Sequence, residues 1–202
     1  MPEHKPYDPL DYGNLTVNLV RELMGRPPLS LPLAERFRGP GVYALFYGGD
    51  YEPYTALRSP DSLQPIYVGK AVPPGARKGG SAPDESAPAL HGRIRQHARS
   101  LEDAANLRLT DFTCRYLVVV PLWITMAERF LIEHYQPCWN VCIEGFGLHD
   151  PGKGRRQGQC PWWDTLHPGR PWAAKLQPRS QAEAKARLRA FTDQRDAGQE
   201  TP

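Results

Sequence analysis

Long apolar runs are missing from this sequence. No stretch of about 18 consecutive apolar residues, the length that spans a bilayer, occurs in its 202 residues, so no membrane-spanning helix is predicted. The first residues, Met1 to Pro6, lack the apolar core of a secretory signal peptide, and we expect a cytoplasmic protein. A glycine-rich loop of the nucleotide-hydrolase kind is also missing, so ATP is not implied.

Cysteine is scarce, with four residues in the chain. In a reducing compartment these are expected to be free thiols. Cys138 and Cys142 could be combined with His149 or Cys160 as a zinc site. The spacing is not one of the standard ones, however, and the neighbouring Trp139 favours a packed segment over a metal site.

The excess of positive charge is small. A net charge of +3 is compatible with a nucleic-acid partner but does not indicate one, because many soluble enzymes share it. Hydrophobic residues make up 40% and charged residues 23%, which is typical of a folded soluble domain and not of a disordered chain. The length is sufficient for one domain with a hydrophobic core.

The hydrophobic pattern predicts the order β-β-α-β-α, which is that of a small α/β sandwich whose strands share one sheet. Helices are predicted at 15–24, 89–105, 123–135 and 181–193, and strands at 41–47, 66–70 and 110–121. The loop at 48–65 is longer than an ordinary hairpin connection, so it is a candidate functional insertion.

Two tripeptides mark the first two predicted strands. Gly41-Val42-Tyr43 opens one strand and Tyr67-Val68-Gly69 lies in the other, so each carries a glycine and a tyrosine in mirrored order. Either tyrosine taken alone is explained by core packing in a sheet. The adjacent glycines favour a close approach of the backbones at this point.

Arg93 and His97 lie one turn apart on one face of a predicted helix. An arginine fork fits two phosphate oxygens and stabilises the added negative charge of a transition state. A histidine at His97 can donate to the phosphate or relay a proton. The alternative is a solvated helix face, since Arg95 and Arg99 also lie on this helix; we assign these two to DNA backbone or solvent.

Glu128 and Asn140 complete the set of candidate residues. A hard divalent cation prefers oxygen ligands, and Mg²⁺ typically uses one or two carboxylates together with waters and substrate phosphate. Glu128 could instead be a solvated or salt-bridged residue, and Glu133 is a rival one turn on. Asn140 could equally be a helix-stop or turn residue.

The order Tyr43, Tyr67, Arg93, His97, Glu128, Asn140 resembles that of the GIY-YIG nuclease superfamily, with valine in place of isoleucine in both tripeptides. The segments at 65–73, 93–97, 137–140 and 167–172 resemble the type II restriction endonucleases built on this core, and most closely those that cut CCGCGG. The resemblance implies a small sandwich with a central three-stranded antiparallel or mixed sheet flanked by helices. It also implies an N-terminal extension at 1–40, which is a possible dimer or DNA arm, a nuclease core at 41–145, and a C-terminal extension at 146–202 packed on the core.

The resemblance also implies roles for these residues. Tyr43 deprotonates or orients the attacking water, and Tyr67 positions the water or holds the phosphate. Arg93 binds the phosphate, and Glu128 holds Mg²⁺, for which Mn²⁺ can substitute. Asn140 fixes the backbone around the site or touches the scissile phosphate.

A palindromic target implies a homodimer on double-stranded DNA, with one active site per strand. Contacts to DNA are predicted for Lys70, Arg77, Lys78, Arg95 and Arg170, with a solvated loop charge as the alternative for the loop residues. The predicted function is a Mg²⁺-dependent restriction endonuclease of a prokaryotic cytoplasm. The alternatives are a repair or structure-specific nuclease of the same superfamily, and a DNA-binding module that has lost catalysis.

Overall fold

The computed structural model describes residues 8, 10–73, 84–150 and 157–199. The helices are α1 (Tyr12–Met24), α2 (Ala89–Asp103), α3 (Ile124–Tyr135), α4 (Cys138–Val141), α5 (Trp162–Leu166) and α6 (Gln181–Gln199). The strands are β1 (Leu29–Ser30), β2 (Gly41–Tyr47), β3 (Tyr67–Ala71) and β4 (Phe112–Val118). None of the helices in the described ranges is long and apolar enough to cross a membrane.

The four strands form one antiparallel sheet in the order β1-β4-β2-β3. The predicted α/β class is confirmed, but the sheet has four strands where three were predicted. The additional strand consists of Leu29 and Ser30, which pair with the outer edge of β4. The segment before the predicted core therefore contributes backbone hydrogen bonds to the sheet itself.

Several element boundaries differ from the predicted ones, and two of the differences have clear local reasons. α1 begins three residues early because the Asp11 carboxylate accepts a hydrogen bond from the Gly13 amide at 2.9 Å and caps the helix. β4 ends at Val118, and a 3₁₀ turn opens at Pro121, which has no amide hydrogen for a strand ladder. α6 continues to Gln199, beyond the predicted end at residue 193.

β2 is buried on both faces of the sheet, and its side chains alternate between two cores. Val42, Ala44 and Phe46 pack with the apolar side chains of α1 and α3. The intervening side chains, Tyr43, Leu45 and Tyr47, pack with α2 and with the C-terminal segments. The helices α2 and α3 thus cover opposite faces, and β3 forms an edge of the sheet between them.

The C-terminal segments complete the second core. Trp163 of α5 and Leu188 of α6 are 0% and 1% exposed, in one cluster with the side chains of β2. The 48–65 segment is also anchored there, because the buried Tyr54 accepts a hydrogen bond from Nε1 of Trp139 at 2.8 Å. The segments flanking the predicted core therefore share its hydrophobic interior.

Candidate active site

A cleft of about 570 Å³ opens across the free edge of β3, between α2 and α3. Side chains alternate along a strand, so Tyr67 points to the α2 side of the sheet and Lys70 to the α3 side. Both nevertheless line the cleft because it wraps around the strand edge. The polar side chains that line it are Tyr67, Lys70, Arg93, Gln96, Glu128 and His149.

Arg93 is tied to the loop that follows α4. Its Nη2 donates to the Gly147 carbonyl at 2.7 Å, and its Nη1 contacts Nε2 of His149. A Cβ atom at Gly147 would lie 2.7 Å from the Tyr67 hydroxyl and 3.6 Å from Nη2 of Arg93. The phenol and the guanidinium therefore converge on one glycine, where a larger residue would push them apart.

Lys70 and Glu128 form an ion pair on the other wall of the cleft. Nζ of Lys70 lies 2.8 Å from Oε2 of Glu128, and the two side chains are 30% and 22% exposed. The rival Glu133 pairs instead with Arg129 of the same helix at 2.6 Å and is 55% exposed. Of these two glutamates, Glu128 is the one that faces the cleft.

The side chains in the cleft fit a hard cation that takes some of its ligands from the substrate. Within the described ranges, no three His, Cys, Asp or Glu side chains are grouped to hold a metal ion. All four cysteines are buried free thiols, so the zinc alternative has no ligand set among these residues. Among the described residues that line the cleft, Glu128 alone offers a carboxylate, and Mg²⁺ commonly takes one carboxylate with waters and phosphate oxygens.

Tyr43 and His97 lie behind Tyr67, out of reach of the cleft. Both are fully or nearly fully buried, and the ring centroids of Tyr43 and His97 lie 6.1 and 5.3 Å from that of Tyr67. His97 also stacks on Phe146, with 4.4 Å between ring centroids. A phosphate in the cleft would touch Tyr67 and Arg93, and neither of the two buried rings.

Burial sets the protonation state of both rings. Burial raises the pKa of Tyr43 well above its usual value of 10, and Tyr67 raises it further, while Arg93 lowers it. Burial lowers the pKa of His97 well below 6.5, followed by the charge of Arg93. At neutral pH the phenol is protonated and the imidazole is neutral. Across the part of the chain that the structure describes, the Tyr43 hydroxyl and Nε2 of His97 have no hydrogen-bond partner of normal geometry.

Gly69 allows Tyr43 to pack against β3. The two residues lie opposite each other in the sheet, and a Cβ atom at Gly69 would collide with the Tyr43 hydroxyl. This contact explains why the second tripeptide needs a glycine two residues after its tyrosine. The mirrored sequence pattern therefore corresponds to a direct contact between the two strands.

Asn140 holds the free edge of β3. Its Nδ2 donates to the Val68 carbonyl at 2.9 Å, and its Oδ1 accepts from the Val68 amide at 2.8 Å. The side-chain amide thus takes the place of a further strand at one residue. This geometry corresponds to the first of its two predicted roles, which is to fix the backbone beside the site.

The residues predicted to contact DNA are placed very differently from one another. Lys70 lines the cleft and Arg95 is exposed on α2, whereas Arg77 and Lys78 lie outside the described residues. Arg170 is 2% exposed, donates to Oδ1 of Asp164 at 2.6 Å, and also donates to the carbonyls of residues 145, 146 and 148. Its donors are used inside the protein, so this placement does not favour the predicted DNA contact for Arg170.

Among the described residues, His149 is the titratable group of the cleft that sequence reasoning did not assign to it. The sequence suggested this residue only as a possible zinc ligand. Its position depends on the glycine-containing loop between α4 and α5. The carbonyls of this loop accept hydrogen bonds from the buried side chain of Arg170. The glycines at 145 and 147, followed by a histidine, were the only sequence signal.

A protein-family model described as the Eco29kI GIY-YIG domain matches residues 35–191 of the chain. The matched segment contains β2, β3, β4, the helices α2 to α5, and the residues that line the cleft. No curated protein matches the sequence.

Proposed function

Because the chain belongs to the Eco29kI GIY-YIG family of restriction endonucleases, we propose that it hydrolyses phosphodiester bonds of double-stranded DNA at one short palindrome. One observation carries this proposal: Arg93, Tyr67 and Lys70 converge with the carboxylate of Glu128 in one cleft at a strand edge. Two cations and a phenol suit a phosphodiester, and the carboxylate suits the cation that accompanies it.

Arg93 binds the scissile phosphate in this proposal. Its guanidinium already lies in the cleft, oriented by the Gly147 carbonyl. It would donate to two phosphate oxygens and stabilise the negative charge that grows as water adds to phosphorus. The Tyr67 hydroxyl lies beside it and donates to the same phosphate or orients the water.

Glu128 would hold Mg²⁺, or Mn²⁺ in its place, together with phosphate and water oxygens. When bound there, such an ion stabilises charge on the phosphate and on the leaving oxygen. Lys70 neutralises the carboxylate through its 2.8 Å contact. In the complex its ammonium group would turn to a phosphate oxygen, which is the DNA contact predicted for it.

Tyr43 and His97 pack against the ring of Tyr67 on the side away from the cleft. Tyr43 packs behind Tyr67, and burial raises its pKa, so it would need a bound cation nearby to activate the water at neutral pH. We assign to Tyr43 and His97 the role of fixing the ring of Tyr67, and to Asn140 that of fixing the strand that carries it.

The resemblance of the sequence supports a GC-rich target similar to CCGCGG and a homodimer in a prokaryotic cytoplasm. A twofold-symmetric pair of chains would place one cleft at each strand of the palindrome. Arg95 is exposed on the same helix as Arg93 but on a different face, and there it would contact the DNA backbone.

The test is digestion of a plasmid of known sequence by the purified protein, with Mg²⁺ and with EDTA, followed by sequencing of the ends. Discrete fragments that end at one palindrome, formed only with the metal, are the expected result. Cuts confined to branched or damaged DNA would identify a structure-specific nuclease instead. DNA binding without cleavage in any divalent metal would identify a binding module, and either result would overturn the proposal.

A further inference from the structure

Arg170 is a buried cation that lies outside the lining of the cleft. Its guanidinium lies over the rings of Trp163 and Trp172, at 4.6 and 4.7 Å from their centroids. A charge at this depth is tolerated only when it is paired and its donors find acceptors. The partners of Arg170 therefore indicate what this side chain does.

All five N–H donors of the Arg170 guanidinium are used. Nε and Nη2 donate to the two carboxylate oxygens of Asp164, which is itself buried. Nη1 donates to the carbonyls of Phe146 and Leu148 at 3.0 and 3.1 Å, and Nη2 also donates to that of Gly145 at 3.0 Å. Two donors thus form the ion pair, and three bind the loop that borders the cleft.

The remaining carbonyl of this loop segment, 145–148, serves the cleft. The Gly147 carbonyl accepts a hydrogen bond from Nη2 of Arg93 at 2.7 Å. The segment is a tight turn, since the Leu148 amide donates to the Gly145 carbonyl at 3.0 Å and Gly145 has a φ of +114°, which favours glycine. The turn therefore presents three carbonyls to the buried Arg170 and one to the arginine of the cleft.

The Gly147 carbonyl is the firmest partner of Arg93. Arg93 also contacts Gln96, at 3.4 Å, and His149, but both of these side chains are exposed. Holding a long arginine in one rotamer costs conformational entropy, and a carbonyl in a turn that is bound from the interior offsets this cost better than a mobile side chain. The direction of the Gly147 carbonyl therefore sets the position of the Arg93 guanidinium.

We propose that Arg170 is a positioning residue for DNA cleavage, which acts on Arg93 through the turn at 145–148. The inference rests on the proposed nuclease function, in which Arg93 binds the scissile phosphate. Asp164 holds Arg170, and Arg170 holds the turn, so the C-terminal segment takes part in building the active site without touching DNA. A displacement of about 1 Å in a catalytic group can cost about 10²-fold in rate.

The test compares Arg170→Lys with wild type in single-turnover cleavage at saturating Mg²⁺ and in DNA binding with Ca²⁺. A lysine keeps a positive charge beside Asp164, but one ammonium group cannot serve the carboxylate and three carbonyls together. The cleavage rate should fall by about 10- to 10²-fold. DNA affinity should be nearly unchanged, because the residues that contact DNA are all retained.

A double-mutant cycle with Arg93→Ala separates positioning from a general loss of structure. If Arg170 acts through Arg93, then Arg170→Lys should slow cleavage by less than about twofold in the Arg93→Ala background, because effects that share one route are not additive. Should Arg170→Lys fail to fold, Asp164→Leu combined with Arg170→Met leaves no lone buried charge. This pair should give the same two results.

Arg115→Lys is the matched control. Arg115 is a buried arginine of β4 that donates to the carbonyls of residues 24, 26 and 62, and none of these four residues lines the cleft. Its replacement should lower the midpoint of urea unfolding, as Arg170→Lys should, but keep the wild-type cleavage rate.

Three results would overturn the inference and leave the nuclease function standing. They are a wild-type cleavage rate for Arg170→Lys, an equal slowing by Arg170→Lys with and without Arg93, and an equal slowing by Arg115→Lys. Each would show that Arg170 only stabilises the fold. A wild-type protein that cuts no DNA would instead remove the proposed function, and the inference with it.

Discussion

Nζ of Lys70 lies 2.8 Å from Oε2 of Glu128, so the carboxylate proposed to hold a metal ion also pairs with a lysine of the neighbouring strand. Lys70 neutralises this carboxylate at the wall of the cleft. The same contact places the lysine in competition with any cation that binds Glu128.

Replacing Lys70 should strengthen metal binding. The pair is partly exposed, and such pairs are worth about 0.2–1 kcal/mol, so Lys70→Met should lower the dissociation constant for Mn²⁺ by up to about fivefold. Electron paramagnetic resonance of Mn²⁺ without DNA measures this directly. Lys185→Met, in the exposed face of α6, is the control. Unchanged or weaker Mn²⁺ binding by Lys70→Met would contradict the competition.

Replacing Glu128 should separate cleavage from binding. Glu128→Ala should abolish cleavage yet retain specific DNA binding, because Glu128 supplies the carboxylate for the metal while the cations of the cleft remain. Gel-shift and cleavage assays on the same oligonucleotide distinguish the two properties. The control is Glu133→Ala on the same helix, whose partner is Arg129. Near-normal cleavage by Glu128→Ala would refute the metal-binding role.

Arg93 and Arg95 lie on one helix, but replacing each by alanine should have a different effect. Arg93→Ala should lose about 10²-fold or more in single-turnover rate, because it removes a donor to the transition-state charge. Arg95→Ala should keep that rate and bind DNA more weakly. A plot of the logarithm of its DNA association constant against the logarithm of the salt concentration should have a slope that is smaller in magnitude by about 1. An Arg93→Ala variant that cuts at the wild-type rate would remove Arg93 from the site.

Asn140→Ala should destabilise the fold near the cleft. The change leaves the amide and carbonyl of Val68 without their partners at the strand edge. We expect a loss of about 1–3 kcal/mol in the free energy of unfolding, measured by urea denaturation. Asn140→Asp should keep the hydrogen bond from the Val68 amide and lose the one to the Val68 carbonyl. Its free energy of unfolding should therefore also be lower than that of wild type. An unchanged unfolding free energy for both variants would show that the contact contributes nothing.

The stability of the protein should fall in mild acid because of its buried histidines. Burial lowers the pKa of His167 to about 3, whereas an unfolded histidine titrates near 6.5. Below pH 6.5 the unfolded chain therefore binds a proton at this histidine that the folded chain does not bind, which favours unfolding. From this residue alone we expect a loss of about 2 kcal/mol between pH 7 and pH 5.

Urea denaturation at the two pH values measures this effect. The lowered pKa of His97 acts in the same direction, so His97→Gln should show a smaller loss between pH 7 and pH 5 than wild type. Equal stability of wild type at pH 7 and pH 5 would contradict the burial argument.

The sequence alone predicted the central features of the fold. A continuous run of aromatic and β-preferring residues predicted β2 at its observed bounds, and the structure buries this run on both faces of the sheet. The two tripeptides predicted neighbouring strands, and the structure places Tyr43 opposite Gly69. The spacing of Arg93 and His97 predicted one helix face but not its depth: the arginine reaches the cleft and the histidine is buried.

Tertiary structure alone decided which charged residues face the cleft. Arg170 has the same local sequence signature as an exposed basic residue, yet Asp164 and three loop carbonyls enclose it. His149 enters the cleft because that enclosed arginine holds its loop. Local sequence determines the face of an element on which a side chain lies, through backbone geometry. The depth and the neighbours of that side chain depend on segments distant in sequence, so only the packed chain determines them.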